Sequence, residues 1–399
     1  MNTAQTRGSS HAAITTALCF AVAVLEGFDI QAVGVAAPRL APEFGLSPDQ
    51  LGWVFSISNI GLVIGASLGG WLADRLGRKP VLIGAVVMFG LFTLLTALSG
   101  SFATLFIARM LAGLGFGAAL PNMMAVATEI SSPNKRATTA AAMFCGMPVG
   151  GASVALLTQV LPSGFDWRVI FVIGGVLPLV VAVALQFLMP ETLTSQERAA
   201  RERVPVITAL FGEGRAAPTL LLWLTFLPTL LMLYLFLNWL PMLVTANGLD
   251  RAVAPQASLA FNLASVPGAL LVGMLVDRFS GRWPLAGAYA ALSVTLLALA
   301  TAKGLGPILM LSGAAGFLLM GANFALYGVA AMYYPSNVRG TGSGASIAVG
   351  RVGSICGPLL AGLLLASGLT AVQVVQYMAP AAAVACVAVF LLGFFKRVE

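Results

Sequence analysis

Gly69-Gly70-Trp71-Leu72-Ala73-Asp74-Arg75-Leu76-Gly77-Arg78-Lys79-Pro80 is a charged turn set between two apolar runs, and the chain repeats it. From residue 273 it reads Gly273-Met274-Leu275-Val276-Asp277-Arg278-Phe279-Ser280-Gly281-Arg282, with the Asp-Arg pair and the later Gly-Arg in the same order. A weaker echo joins Pro133-Asn134-Lys135-Arg136-Ala137 to Pro335-Ser336-Asn337-Val338-Arg339-Gly340. Repetition on this scale predicts two related halves.

What surrounds these turns sets the class. Of 399 residues, 59% are hydrophobic and 9% charged, against about 25% charge in an average soluble domain. A soluble surface is excluded. The apolar residues fall in runs such as 81–98 (VLIGAVVMFGLFTLLTAL), each long enough to cross ~30 Å of hydrocarbon as a helix. Reading runs between polar breaks gives spans at 14–36, 51–72, 81–99, 103–127, 138–160, 168–189, 218–244, 256–276, 284–302, 306–330, 342–365 and 371–395. The expected fold is an all-α membrane protein, with twelve transmembrane helices in two pseudo-symmetric six-helix halves. Those halves are 1–190 and 218–399, joined by a cytoplasmic linker, 191–217, rich in both charge signs.

The charge distribution gives an orientation. If the N-terminus is cytoplasmic, 15 of the 21 Lys and Arg lie on inner segments, while Arg39, Arg168, Arg251 and Lys303 lie outside and Arg109 and Arg351 within spans. The positive-inside rule therefore predicts both termini in the cytoplasm. Because the basic residues gather in loops, topology rather than a nucleic-acid partner explains the net charge of +7. The N-terminal segment 1–11 shows no cleavable signal pattern. Cys19, Cys145, Cys356 and Cys386 sit in apolar runs without paired spacing, so neither a disulfide framework nor a metal site is expected. No cofactor is implied, and a functional monomer is expected.

Ionisable groups inside spans are functional candidates, because a charge in hydrocarbon is disfavoured unless it has work or a partner. Leu25-Glu26-Gly27-Phe28-Asp29 puts two carboxylates three residues apart, on one helix face. Burial disfavours the charged form and a nearby cation favours it, so Asp29 or Glu26 beside an intramembrane Arg could alternate between proton-bound and ion-paired states. His11, the one histidine, lies outside the spans, which leaves that task to carboxylates, Asp29 first and Glu26 second. The alternative is a structural ion pair, or a cap in a helix broken by Gly27. Arg351, mid-span, suits a bidentate hold on a substrate carboxylate, or else a permanent acidic partner. Arg109, also within a span, could tie the first span to the fourth. Flat apolar walls with a few polar atoms are offered by Phe28, Tyr234, Asn238, Trp239, Asn323 and Tyr327. Glu129, close to Lys135 and Arg136, belongs with the turn network. The Gly-rich stretches 61–70 and 113–117 lack the Lys-Ser or Lys-Thr ending of a nucleotide loop and predict close helix packing instead.

The stretch Gly69 to Pro80 resembles the loop signature of the major facilitator superfamily. That resemblance implies that Asp74, Arg75, Arg78, Glu129 and Arg136, with Asp277, Arg278 and Arg339 in the second half, gate a conformational change rather than bind substrate. A merely solvated turn is the alternative. Glu26-Gly27-x-Asp29 is similar to the acidic first-helix motif of the aromatic acid:proton symporter family, usually Asp-Gly-x-Asp, with Glu26 in place of the first Asp. This form narrows the likeness to the transporters of 3-(3-hydroxyphenyl)propionate. The segments 113–122, 238–241 and 348–353 agree with it. Arg109 matches the span-four Arg motif that the superfamily associates with proton coupling. The resemblance thus implies a non-enzymatic importer of a small aromatic carboxylate, driven by protons through alternating access. A proton-antiport exporter remains open, although Met147 separates Gly146 from Pro148 where the antiporter signature joins Gly to Pro. A sugar porter ranks third, on the loose match at Pro190-Glu191-Thr192, and a non-transporting membrane receptor is the alternative of another class. No nucleophile-base set or metal-ligand spacing suggests catalysis.

Overall fold

The computed structural model describes residues 3–130, 136–162, 164–189, 205–279, 282–335 and 338–395, with side chains described except for those of 3–12, 74, 128, 136–138, 140, 141 and 144. Among the described residues all regular structure is helical, in twelve long helices and one short one. The first six are α1 (Thr3–Phe44), α2 (Pro48–Leu76), α3 (Arg78–Ala97), α4 (Phe102–Ile130), α5 (Arg136–Val160) and α6 (Arg168–Leu188). The short α7 (Val206–Phe211) follows. Then come α8 (Ala216–Ala246), α9 (Pro255–Arg278), α10 (Arg282–Thr301), α11 (Leu305–Ala331), α12 (Arg339–Ala366) and α13 (Ala371–Leu392). Eleven of the long helices are long and apolar enough to cross a membrane, and α5 adds an apolar stretch over Cys145–Val160. The chain divides into two compact units, 1–47 with 53–199 and 48–52 with 200–399.

The same packing scheme builds each unit. In the first, α1 lies along α5, and α3 along α4 and α6; in the second, α8 lies along α12, α9 along α11, and α10 along α13. Small residues permit the contacts, since lipid gives helices no hydrophobic reason to associate and close backbone approach must supply the attraction. A Cβ on Gly113 or Gly117 of α4 would overlap the carbonyls of Ser58 or Leu62 on α2. The Gly-rich stretches therefore pack helices, as expected.

Three details depart from the sequence reading. The first span was expected over 14–36, but α1 runs on to Phe44 through Pro38 and Pro42. Its far end is anchored: Glu43 accepts from the Trp167 indole at 2.6 Å and pairs with Arg168 at 2.7 Å. Gly27 does not break the helix. It lets α1 seat against α5, because a Cβ there would collide with the Met147 backbone, as one on Gly150 would with the Val24 carbonyl. Thirdly, part of the segment read as linker is ordered: α7 closes against the start of α8 when Arg215 donates to the Thr208 and Ala209 carbonyls at 3.1 and 3.0 Å and Thr219 to that of Leu210 at 2.7 Å. Carbonyls in the last turn of a helix have no intrahelical donor, so these contacts terminate α7. Residues 191–204 of the expected linker lie outside the described residues.

Candidate functional site

Asp29 and Arg109 meet inside the first unit. Asp29 Oδ2 lies 2.7 Å from Arg109 Nη2, and the two side chains are 0% and 1% exposed, so neither charge reaches solvent. Isolated, either would be strongly disfavoured in this interior; together they satisfy each other if the remaining polar atoms also find partners. Much of that satisfaction comes from neighbouring helices. Thr93 of α3 donates to Asp29 Oδ1 at 2.7 Å, and Arg109 Nε donates to Ser58 Oγ of α2 at 3.2 Å. The guanidinium also stands 5.9 Å from the Phe171 ring centroid on α6. Five helices of the unit converge on one ion pair.

Glu26 is also buried, one turn before Asp29 on α1. Phe28 is buried too, its ring edge against Gly174 of α6. Sequence reasoning singled out Asp29, Glu26 and Arg109 as charges in apolar runs. It missed Thr93 and Ser58, whose types are ordinary in membrane helices and carry no signal of their own.

The second unit holds a different arrangement. Arg351 of α12, partly exposed, donates from Nη1 to the Tyr234 hydroxyl of α8 at 2.7 Å. Tyr327 of α11 lies near both, and its ring stands edge-on to Phe226 at 5.6 Å between centroids. Asn323, one turn before Tyr327, is buried. These residues combine a cation, two phenols, an amide and an aromatic wall, the chemistry that a flat organic anion requires. The other two expected residues serve the backbone: Asn238 donates to the Tyr234 carbonyl at 2.8 Å, and Trp239 donates to that of Pro358 at 3.0 Å.

The repeated turns lie at helix ends. Gly77, at φ 95°, makes the left-handed step between α2 and α3 that a side chain would strain. Arg78 opens α3 and pairs with Glu129 of α4 at 2.8 Å. Arg75 is exposed and lies over the Trp71 ring, 4.0 Å from its centroid. In the second unit Asp277 and Arg278 are exposed, and Arg339 donates to the Tyr334 carbonyl at 3.3 Å. The side chains of Asp74 and Arg136 lie outside the described residues, as does Lys135.

A bundle of long apolar helices built twice on one packing plan, with ionisable side chains buried inside it, is the architecture of a secondary transporter. The chain belongs to the major facilitator superfamily, whose model matches residues 19–328. It is therefore a multi-pass membrane transporter and not an enzyme. The 3-(3-hydroxyphenyl)propionate transporter of Escherichia coli K12 is 40% identical over 96% of this chain and 94% of that protein. The 4-hydroxybenzoate transporter PcaK of Pseudomonas aeruginosa is 33% identical over 96% and 92%, and the gallate transporter of Pseudomonas putida 33% over 88% and 85%. Among solved structures, a bacterial homolog of the human lysosomal transporter Spinster superposes with a TM-score of 0.79 at 17% identity, over 96% of this chain and 97% of that one. That likeness concerns the fold alone.

Proposed function

We propose that the protein imports a small aromatic carboxylate, of which 3-(3-hydroxyphenyl)propionate is the foremost candidate, together with protons by alternating access. The observation that carries the coupling is the Asp29–Arg109 pair, sealed from solvent with a hydroxyl on its second carboxylate oxygen. A proton on Asp29 removes the charge that holds Arg109, so protonation and the packing of α1 against α4 change together. Arg351 holds the substrate carboxylate, Tyr234 orients the guanidinium, and Tyr327, Asn323 and Phe226 face the ring. The substrate class is supported by the names of three relatives, transporters of 3-(3-hydroxyphenyl)propionate, 4-hydroxybenzoate and gallate.

The bias of basic residues to alternate loops supports cytoplasmic termini, and the bacterial relatives support an inner-membrane location. The Arg78–Glu129 turn and its counterpart at Asp277, Arg278 and Arg339 act as gates, and one protomer suffices for transport. The test is uptake of labelled 3-(3-hydroxyphenyl)propionate into proteoliposomes, with and without an inward proton gradient. Gradient-driven uptake in the wild type, lost in Asp29→Asn and in Arg351→Ala, is the expected result. Gradient-driven extrusion instead would establish an exporter.

A further inference from the structure

Hydroxyl side chains near the end of α3 follow one habit, with one exception. Thr96 donates to the Phe92 carbonyl at 2.9 Å and Ser99, just past the helix, to that of Leu95 at 3.1 Å, each reaching four residues back along its own backbone. Thr93 turns away from its helix and donates to Asp29 Oδ1 at 2.7 Å. It is fully buried, with its methyl toward Gly174 of α6, so the rotamer is set by packing as well as by the carboxylate.

We propose that Thr93 is a positioning residue for the proton step, its hydroxyl donating to Asp29 when the carboxylate is charged and accepting from it when it carries a proton. This rests on the reading of Asp29 as the coupling carboxylate. A hydroxyl has one donor and two acceptor positions, so it can serve both states without moving its oxygen. In the charged state the Thr93 proton points at Oδ1. When a proton arrives on Oδ1, that proton points at Thr93 Oγ1. The hydroxyl's own proton then turns away from the carboxylate about the Cβ–Oγ1 bond. No proton leaves Thr93 in either direction. Arg109, from α4, is the charged group facing Asp29; α2 meets that guanidinium with Ser58, α5 packs Met147 and Gly150 against α1, and α6 contributes Phe171 and Gly174. Glu26 stands on the same helix as Asp29. Two oxygen contacts therefore fix the carboxylate: Arg109 holds one oxygen and Thr93 the other.

Removing the hydroxyl withdraws a donor from the charged form and an acceptor from the protonated one; the bond to the charged group is the stronger, so the net effect favours the proton-bound form. The readout is the pH at which a hydrophobic carbodiimide, which reacts with protonated carboxyl groups, labels Asp29 in the full-length protein in liposomes, followed by mass spectrometry. In Thr93→Val and Thr93→Ala the labelling profile should move to higher pH by about one unit, the margin by which a hydrogen bond to a charged group exceeds one to a neutral group. Thr93→Ser should label as the wild type does. Superimposed profiles in all four proteins would overturn the inference. So would a serine variant displaced as far as the valine one, since the hydroxyl would then be irrelevant. Uptake in the same liposomes is scored separately: a displaced labelling profile with no gradient dependence in the wild type would fail the coupling reading, not the link between Thr93 and Asp29.

Discussion

Two guanidinium groups stand within membrane helices, one in each unit, and the structure treats them differently. Arg109 is 1% exposed and faces a carboxylate. Arg351 is partly exposed and faces the Tyr234 phenol at the same 2.7 Å. A carboxylate cancels the charge it meets, whereas a neutral phenol orients the guanidinium without cancelling it. Residue type is shared; what distinguishes the two is the partner and the access. The first geometry stores a charge pair that a single proton can unbalance. The second, on the proposed function, presents an oriented cation to an anion that arrives and leaves.

If that distinction holds, the largest effect on stability follows from breaking the sealed pair. Asp29→Leu leaves a buried guanidinium that cannot lose its proton, and Arg109→Met leaves a buried carboxylate that can acquire one. Loss of one partner of a buried pair costs about 3–5 kcal/mol. We therefore expect both single variants to unfold at lower temperature than the wild type, with Asp29→Leu the worse. The double variant, with neither charge, should recover most of the loss while uptake stays abolished. Arg351→Ala should leave Tm nearly unchanged. Thermal unfolding of the purified variants in detergent checks all four, and an Arg351→Ala protein as unstable as Arg109→Met would erase the comparison.

Tyr234→Phe sharpens the other side of it. The substitution removes one oxygen, the acceptor of the Arg351 Nη1 bond, and keeps the ring. A hydrogen bond to a charged group is worth about 1.5–3 kcal/mol, so the KM for uptake should rise roughly tenfold or more if Tyr234 aims Arg351 at the substrate. The pH dependence of uptake should keep the wild-type shape, because the proposed coupling pair belongs to the other unit. A change in that shape with KM unaltered would move Tyr234 from recognition to coupling.

The sequence disclosed the charged residues of both arrangements but not their partners. Asp29, Arg109 and Arg351 are conspicuous because a charge in an apolar run demands an explanation. Thr93 and Ser58 are not, since a hydroxyl in a helix ordinarily returns to its own backbone; only the folded chain shows that Thr93 abandons that bond and that Ser58 receives Arg109. The helix count was legible from hydropathy, whereas the extension of α1 to Phe44 depends on contacts of Glu43 with residues more than a hundred positions away. Arg215 reads as one more cytoplasmic charge, yet it is buried and ends α7. Spacing along a chain reports which face a residue shares, and partners on other helices leave no such trace.

The smallest effect concerns a third ion pair, Arg78 with Glu129, whose side chains are 16% and 37% exposed. Exposed pairs contribute about 0–1 kcal/mol, so Arg78→Ala or Glu129→Ala should lower Tm only slightly. Helix electrostatics makes this pair more informative than its strength suggests. Arg78 is the first residue of α3, where the positive end of the helix disfavours a cation, and Glu129 is next to last in α4, where the negative end disfavours an anion. Each charge offsets the other's misplacement. Exchanging them, Arg78→Glu with Glu129→Arg, keeps the pair and puts each charge at the helix end that favours it, so Tm should equal or exceed that of the wild type. If uptake returns as well, the turn needs only an ion pair. If stability returns and uptake does not, the order of charges at the α2–α3 turn matters to the transport cycle, and the pair is a gate rather than a fastening.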